Sequence, residues 1–190
     1  QTNPNGYSDD NMALREQTLL KNAIEFVYDE IPLELDVDGN DDGYVDNVTF
    51  LVSGSPDGWS DLLWPHRWSM YLYTVYLNGS IVDAYNLNLA SGDYFNVGTL
   101  SHEFFHSLGA PDLYHYDDSG APIAAGGWDI MDGSSDTPQY MSAWMKHKYG
   151  NWIDCPVILQ LGIYPLLPLQ YQESSCFKIN SPNSNNEFFI

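Results

Sequence analysis

Three of the five histidines in this chain fall in "TLSHEFFHSLGAPDLYHY", residues 99–116, where His102 and His106 stand four apart with Glu103 between them. Four residues is just over one helical turn, so both imidazoles project from one face if the stretch is helical. Paired imidazoles pack poorly but ligate zinc well, and the neighbouring carboxylate can serve as general base toward a water that such an ion activates. Gly109 can take the left-handed conformation that ends a helix, and Pro111 forbids its continuation. The chain then turns back, so Asp112, six residues after the second histidine, can add an oxygen ligand. His115 is a rival for that third place; otherwise it is a loop histidine facing solvent. The alternative to a zinc hydrolase is a chance match in a helix with two surface histidines, and the glycine and aspartate at their offsets argue against it.

A second cluster lies upstream in "DVDGNDDGYVDNVT". Oxygen ligands recur at alternate positions, Asp38, Asn40 and Asp42, followed by Asp46. Gly43 permits a sharp turn and Val45 supplies the apolar eighth position of an EF-hand-like register. The register departs at its twelfth position, where Thr49 replaces a bidentate glutamate, and Asp36 can fill that gap. A solvated acidic turn is the plain alternative. Five aspartates between positions 36 and 46 repel one another, however. The expectation is a structural calcium ion that ties the first helix to the core strand and does no chemistry.

The elements that must position these groups follow from periodicity. Met12, Leu19, Leu20, Ala23, Ile24 and Val27 give helical spacing from Ser8 to about Glu30, with Ser8 or Asp9 as N-cap and Pro32 as the stop. "VTFLVS" reads as a buried strand, and residues 53–67 read as loop. Residues 70–77 and 81–89 flank Asn78-Gly79, a strong hairpin signal. The histidine helix begins near Gly98. A second helix is expected over 138–149, closed by Gly150. Beyond Asp154 the pattern becomes short apolar runs broken by Pro and Gly, read as the start of a β-rich appendage. The expected division is therefore 1–154 and 155–190.

Composition limits the partners. With 26 acidic residues against six basic ones the net charge is −20. Phosphate backbones and anionic membranes would be repelled, so neither nucleic acid nor a membrane surface is an expected partner. Cations are expected ones. No apolar run approaches a membrane span, and both ends of the chain read as the middle of something longer. Cys155 and Cys176 could form a disulfide in an oxidising compartment or remain two buried thiols.

Taken together, "HEFFHSLGAPDLY", "DVDGNDDGYVDNVTFLVSG", "LWPHRW" and "GGWDIMDGSS" followed by "SAWMKHKYGNW" resemble the immune inhibitor A family of secreted bacterial zinc metallopeptidases, which is metzincin-like. The resemblance covers most of residues 36–153. It implies Zn2+ on His102, His106 and Asp112, Glu103 as base, and Met131 as a hydrophobic turn beneath the metal. Phe105 departs from the family, in which a small residue is common at that place. The implied fold is α+β, a zincin-like catalytic domain with a mixed sheet, a backing helix and an active-site helix. The implied activity is endopeptidase cleavage of proteins or peptides outside a bacterial cell, with Zn2+ and Ca2+ as cofactors. The hairpin strands would border the cleft, one edge binding an extended substrate. His66, Tyr94 and Tyr140 are candidate donors to the oxyanion. Two rival functions stand beside this one: a calcium-stabilised extracellular binding module with a structural zinc, and a zinc hydrolase acting on a non-peptide amide or ester.

Overall fold

Ala13, Leu20 and Ile24 recur on one stripe of the first helix and are fully buried. The structure, a computed structural model, describes residues 9–54, 64–91, 94–116, 120–171, 175–184 and 186–190. The helix α1 runs Asp9–Val27 and tightens into one 3-10 turn, Tyr28–Glu30. Ile31 is extended, as the residue before Pro32 must be. Ser8, the expected cap, lies outside the described residues.

A mixed three-stranded sheet is built from β1 (Val48–Val52), β2 (His66–Ser69) and β5 (Ala84–Leu89), in the order β1-β5-β2. β5 runs parallel to β1 and antiparallel to β2. Two short strands, β3 (Tyr76–Leu77) and β4 (Ser80–Ile81), form the hairpin expected at Asn78-Gly79. Both turn residues take the left-handed conformation, with φ of 48° and 95°, that a tight hairpin requires.

Four expectations are corrected here. The hairpin ladder ends at Ile81, and residues 84–89 pair in the other sheet instead. His66 and Arg67, read as the end of a loop, instead open a strand, His66–Ser69. β5 is the central strand and so offers no edge to a substrate; the edges are β1 and β2. The strand "VTFLV" is also buried on one face only, since Leu51 is half exposed.

Alternation assigns the two faces of the sheet. Tyr85, Leu87 and Leu89 join Leu20 and Ile24 in the main core, on the α1 side. Asn86 points the other way and donates to Ser107 Oγ at 3.2 Å, at the end of the second helix, α2 (Val97–Ser107). The two helices therefore cover opposite faces of the sheet.

Contacts within the chain separate it into two units, Gln1–Ser107 and Leu108–Ile190. The second unit holds a 3-10 turn at Gly126–Trp128 and a short helix, α3 (Ala143–Met145), that widens into a π-turn, Lys146–Gly150. The helix expected over 138–149 thus starts only at Ala143. Ser142 caps it, its Oγ accepting Met145 N–H at 3.5 Å. Asn151 rather than Gly150 takes the left-handed closing position, with φ 51°. Beyond it lie Val157 bridged to Lys178 and a small hairpin of β6 (Ile179–Asn180) and β7 (Phe188–Phe189). Cys155 and Cys176 are joined in a disulfide beside Ile153. The architecture is mixed α and β, with a small sheet and few helices.

Candidate metal centre

α2 starts where Asn96 can cap it. Asn96 Oδ1 accepts Thr99 N–H at 2.8 Å, which satisfies one of the first-turn donors that a helix leaves open. From there the spacing carries His102, Glu103 and Phe105 into buried positions. Phe105, the departure from the family pattern, is a core side chain here.

The Nε2 atoms of His102 and His106 face each other at 3.2 Å. Ligands held about 2.0–2.1 Å from a tetrahedral centre stand about 3.3 Å apart, so the two nitrogens have the spacing that two ligands of one such centre would have. After Ser107 the chain behaves as its glycine and proline require. Gly109 has φ 90°, and the following residues run without helix to Asp112. Among the described residues, His102, His106 and Asp112 form the one group of three metal-ligating side chains whose ligand atoms all lie within 4.8 Å of one another. Two imidazoles and one carboxylate are a donor set that zinc accepts in hydrolytic sites, where a fourth position is kept open. The residues present fit the ion.

His115 is not part of that group. Its Nε2 lies 2.9 Å from the Pro122 carbonyl. Met131 is fully buried, and its carbonyl accepts Leu113 N–H at 2.8 Å, which anchors the backbone beside Asp112. Asp129, which sequence reasoning passed over, organises the same segment. Its buried carboxylate accepts Met131 N–H at 2.9 Å and Ser142 N–H at 2.7 Å. A polar residue between Trp128 and Ile130 was the available signal. Asp132 likewise accepts from Ala125 and Gly126 N–H. Tyr116 donates its phenol to Asp112 Oδ2.

The three candidate oxyanion donors fare differently. His66 has both ring nitrogens committed: Nδ1 lies 2.7 Å from the Trp64 carbonyl and Nε2 lies 3.1 Å from Glu16 Oε1. Tyr85 donates to the same Glu16 oxygen at 2.5 Å. A carbonyl only accepts, so Nδ1 carries a proton. A carboxylate opposite Nε2 then calls for a second proton there, which makes the ring an imidazolium. Burial pulls the His66 pKa down, but the hydrogen bond and charge of Glu16, the Trp64 carbonyl and the charge of Glu103 outweigh it, leaving the value above the ordinary 6.5. With both ring nitrogens engaged in this way, His66 is removed from the oxyanion donors. Burial, with Glu16 beside it, pushes Tyr85 well up. Tyr94 and Tyr140 are exposed, and the Tyr140 ring carries Lys146 Nζ at 4.8 Å from its centre.

In the acidic loop the side chains turn inward onto their own backbone. Asp38 accepts Asp42 N–H at 3.0 Å and Gly43 N–H at 2.8 Å. Asn40 Oδ1 accepts Asp42 N–H at 3.1 Å, and Asp42 Oδ1 accepts Tyr44 N–H at 2.9 Å. Asp36 and Asp46 accept from Asp38 and Gly39 N–H, both at 3.1 Å. Gly43 has φ 87° at the sharp turn. The loop's carboxylates do not form a three-residue cluster of the kind found at His102.

No family model matches the chain. Over 146 residues it is 29% identical to "Immune inhibitor A" of Bacillus thuringiensis subsp. alesti, a stretch that takes in 60% of this chain and 21% of that protein. The chain therefore spans about a fifth of the relative it matches. No helix among the described residues is long and apolar enough to cross a membrane. The likeness is distant, and it points the same way as the His-His-Asp group: this chain is similar to immune inhibitor A.

Proposed function

We propose that the chain is the catalytic part of a zinc-dependent endopeptidase. The observation that carries this reading is the convergence of His102, His106 and Asp112, with the Glu103 carboxylate on the same helix as the two imidazoles. A bound zinc ion would polarise the scissile carbonyl and lower the pKa of water at the site. The chain's own residues supply the rest. His102 and His106 give neutral nitrogen donors, one helical turn apart. Asp112 gives a negative oxygen that offsets part of the ion's charge. Glu103 accepts the proton of the attacking water and hands it to the leaving amine, a transfer worth about 10²–10⁴-fold in rate.

Further parts of the reading rest on the resemblance. The substrates are proteins or peptides, the setting is extracellular and bacterial, and neither nucleic acid nor a membrane is a partner. Residues 1–154 make up the catalytic domain and 155–190 a β-rich appendage. Met131 lies beneath the metal. Calcium binds the 36–46 loop through Asp36, Asp38, Asn40, Asp42 and Asp46. This reading rests on the alternation of those oxygen ligands in the sequence and on Gly43 at the turn.

Glu103 argues against a binding module with a purely structural zinc, because such a site needs ligands but no base. A hydrolase of non-peptide amides or esters shares the site and differs in substrate. Zinc-loaded protein is to be incubated with denatured casein and, separately, with small amide and ester substrates. Casein cleavage abolished by chelation and restored by zinc supports the peptidase. Turnover of small substrates alone, or of nothing while zinc is bound, overturns it.

A further inference from the structure

We infer that Tyr116 is a positioning residue for the third ligand: its phenol holds Asp112 Oδ2, so that the carboxylate meets the metal through Oδ1 alone. This rests on the zinc reading above and deepens it. The hydroxyl of Tyr116 donates to Asp112 Oδ2. The two residues are four apart, yet no helix joins them, so helical spacing does not explain the contact. Nor does core packing, since Tyr116 is 68% exposed. A large ring left in solvent and turned onto one carboxylate oxygen is placed by its polar tip. The Tyr114 ring stands edge-on to it, with centroids 5.2 Å apart.

The opposite side of Asp112 is fixed through the backbone, where Leu113 N–H donates to the Met131 carbonyl. Asp112 is thereby held at two points, main chain and carboxylate. A carboxylate with two equivalent oxygens can bind a cation through one or both. A donor on one oxygen occupies one of its lone pairs, which biases a cation toward the other oxygen, and it fixes the plane of the group, as outer hydrogen-bond partners do for metal ligands.

The test measures metal binding itself. Zinc affinity is read by competition with a chromophoric chelator for the wild type, Tyr116→Phe and Asp112→Asn. Visible absorption of the cobalt-substituted forms reports ligand geometry. The expected result is one zinc per wild-type chain, affinity lowered about 10–100-fold in Tyr116→Phe, and a changed cobalt spectrum. Equal affinity and an unchanged spectrum in Tyr116→Phe, with one zinc bound to the wild type, overturn the role of Tyr116 and leave the zinc reading standing. A wild type that binds no zinc overturns the zinc reading and the inference with it. Should Tyr116→Phe lose its fold by circular dichroism, 3-fluorotyrosine placed at position 116 of the otherwise unchanged chain gives a second readout. Its fluorine resonance should move in step with one equivalent of zinc, and an unmoved resonance overturns the inference.

Discussion

Glu16 and His66, fifty residues apart in sequence, meet inside the N-terminal unit with Oε1 3.1 Å from Nε2. Both side chains are largely withdrawn from water, with 3% and 11% exposure. Tyr85 adds its hydroxyl to the same oxygen. The contact crosses from α1 to β2, so it fixes how the helix lies on the sheet that supports α2.

A pH dependence follows. The folded-state pKa of His66 is raised above its unfolded value. Its contribution is therefore complete below about 6.5 and is lost as pH rises through the higher folded value. Stability measured in urea should fall as pH rises above about 6.5, and His66→Gln should flatten that slope. Replacing either partner leaves a buried charge unmatched and should cost about 3 kcal/mol. A slope that persists in His66→Gln would place the titrating group elsewhere.

Asp129 reaches thirteen residues along the chain to Ser142 N–H and also holds Met131 N–H. Asp129→Ala strands two donors in a fully buried place, and the loss should be about 3 kcal/mol or more. Asp129→Asn keeps one acceptor and should fall between. Denaturant midpoints measure both, and a change within about 0.5 kcal/mol for the alanine variant would rule out the role assigned here.

The ligand set can be read from zinc stoichiometry. His102→Ala and His106→Ala should each bind less than one zinc at micromolar metal, and Asp112→Ala should weaken binding strongly. His115→Ala should bind as the wild type does, because its ring is turned to the Pro122 carbonyl. The reverse pattern, with His115 required and Asp112 dispensable, would restore the rival third ligand.

Calcium should raise the melting temperature of the protein at about 1 mM, within the range of extracellular sites. Asp38→Ala should abolish that rise, since Asp38 accepts from Asp42 and Gly43 N–H and from Ser80 Oγ. A melting temperature that ignores calcium would leave the loop a self-bonded acidic turn.

What the sequence discloses depends on how local the signal is. The histidine helix, its end at Gly109 and the Asn78-Gly79 hairpin rest on contacts within a few residues, and they are legible. β2 was missed because "HRWS" follows Trp-Pro and shows no clean alternation; its strand character comes from pairing with β5. The helix at 138–149 was drawn too long because its apolar spacing continues upstream of Ser142, while Asp129, ten or more residues earlier, holds the Ser142 N–H. A glutamate on a surface helix is ordinarily solvated, as Glu16 is not. It and Gln17 sit on the buried stripe between Ala13 and Leu20, and polar residues inside an apolar stripe were the available warning. Tyr116 left no such trace, since a tyrosine in a loop has many uses.

The central claim is that Glu103 works as a base beside a zinc held by His102, His106 and Asp112. The direct measurement is cleavage of denatured casein by the wild type and by Glu103→Ala at equal zinc content. Zinc bound by both, with cleavage at least about a hundredfold slower in the variant, is the predicted result. Equal cleavage by the two would contradict the claim.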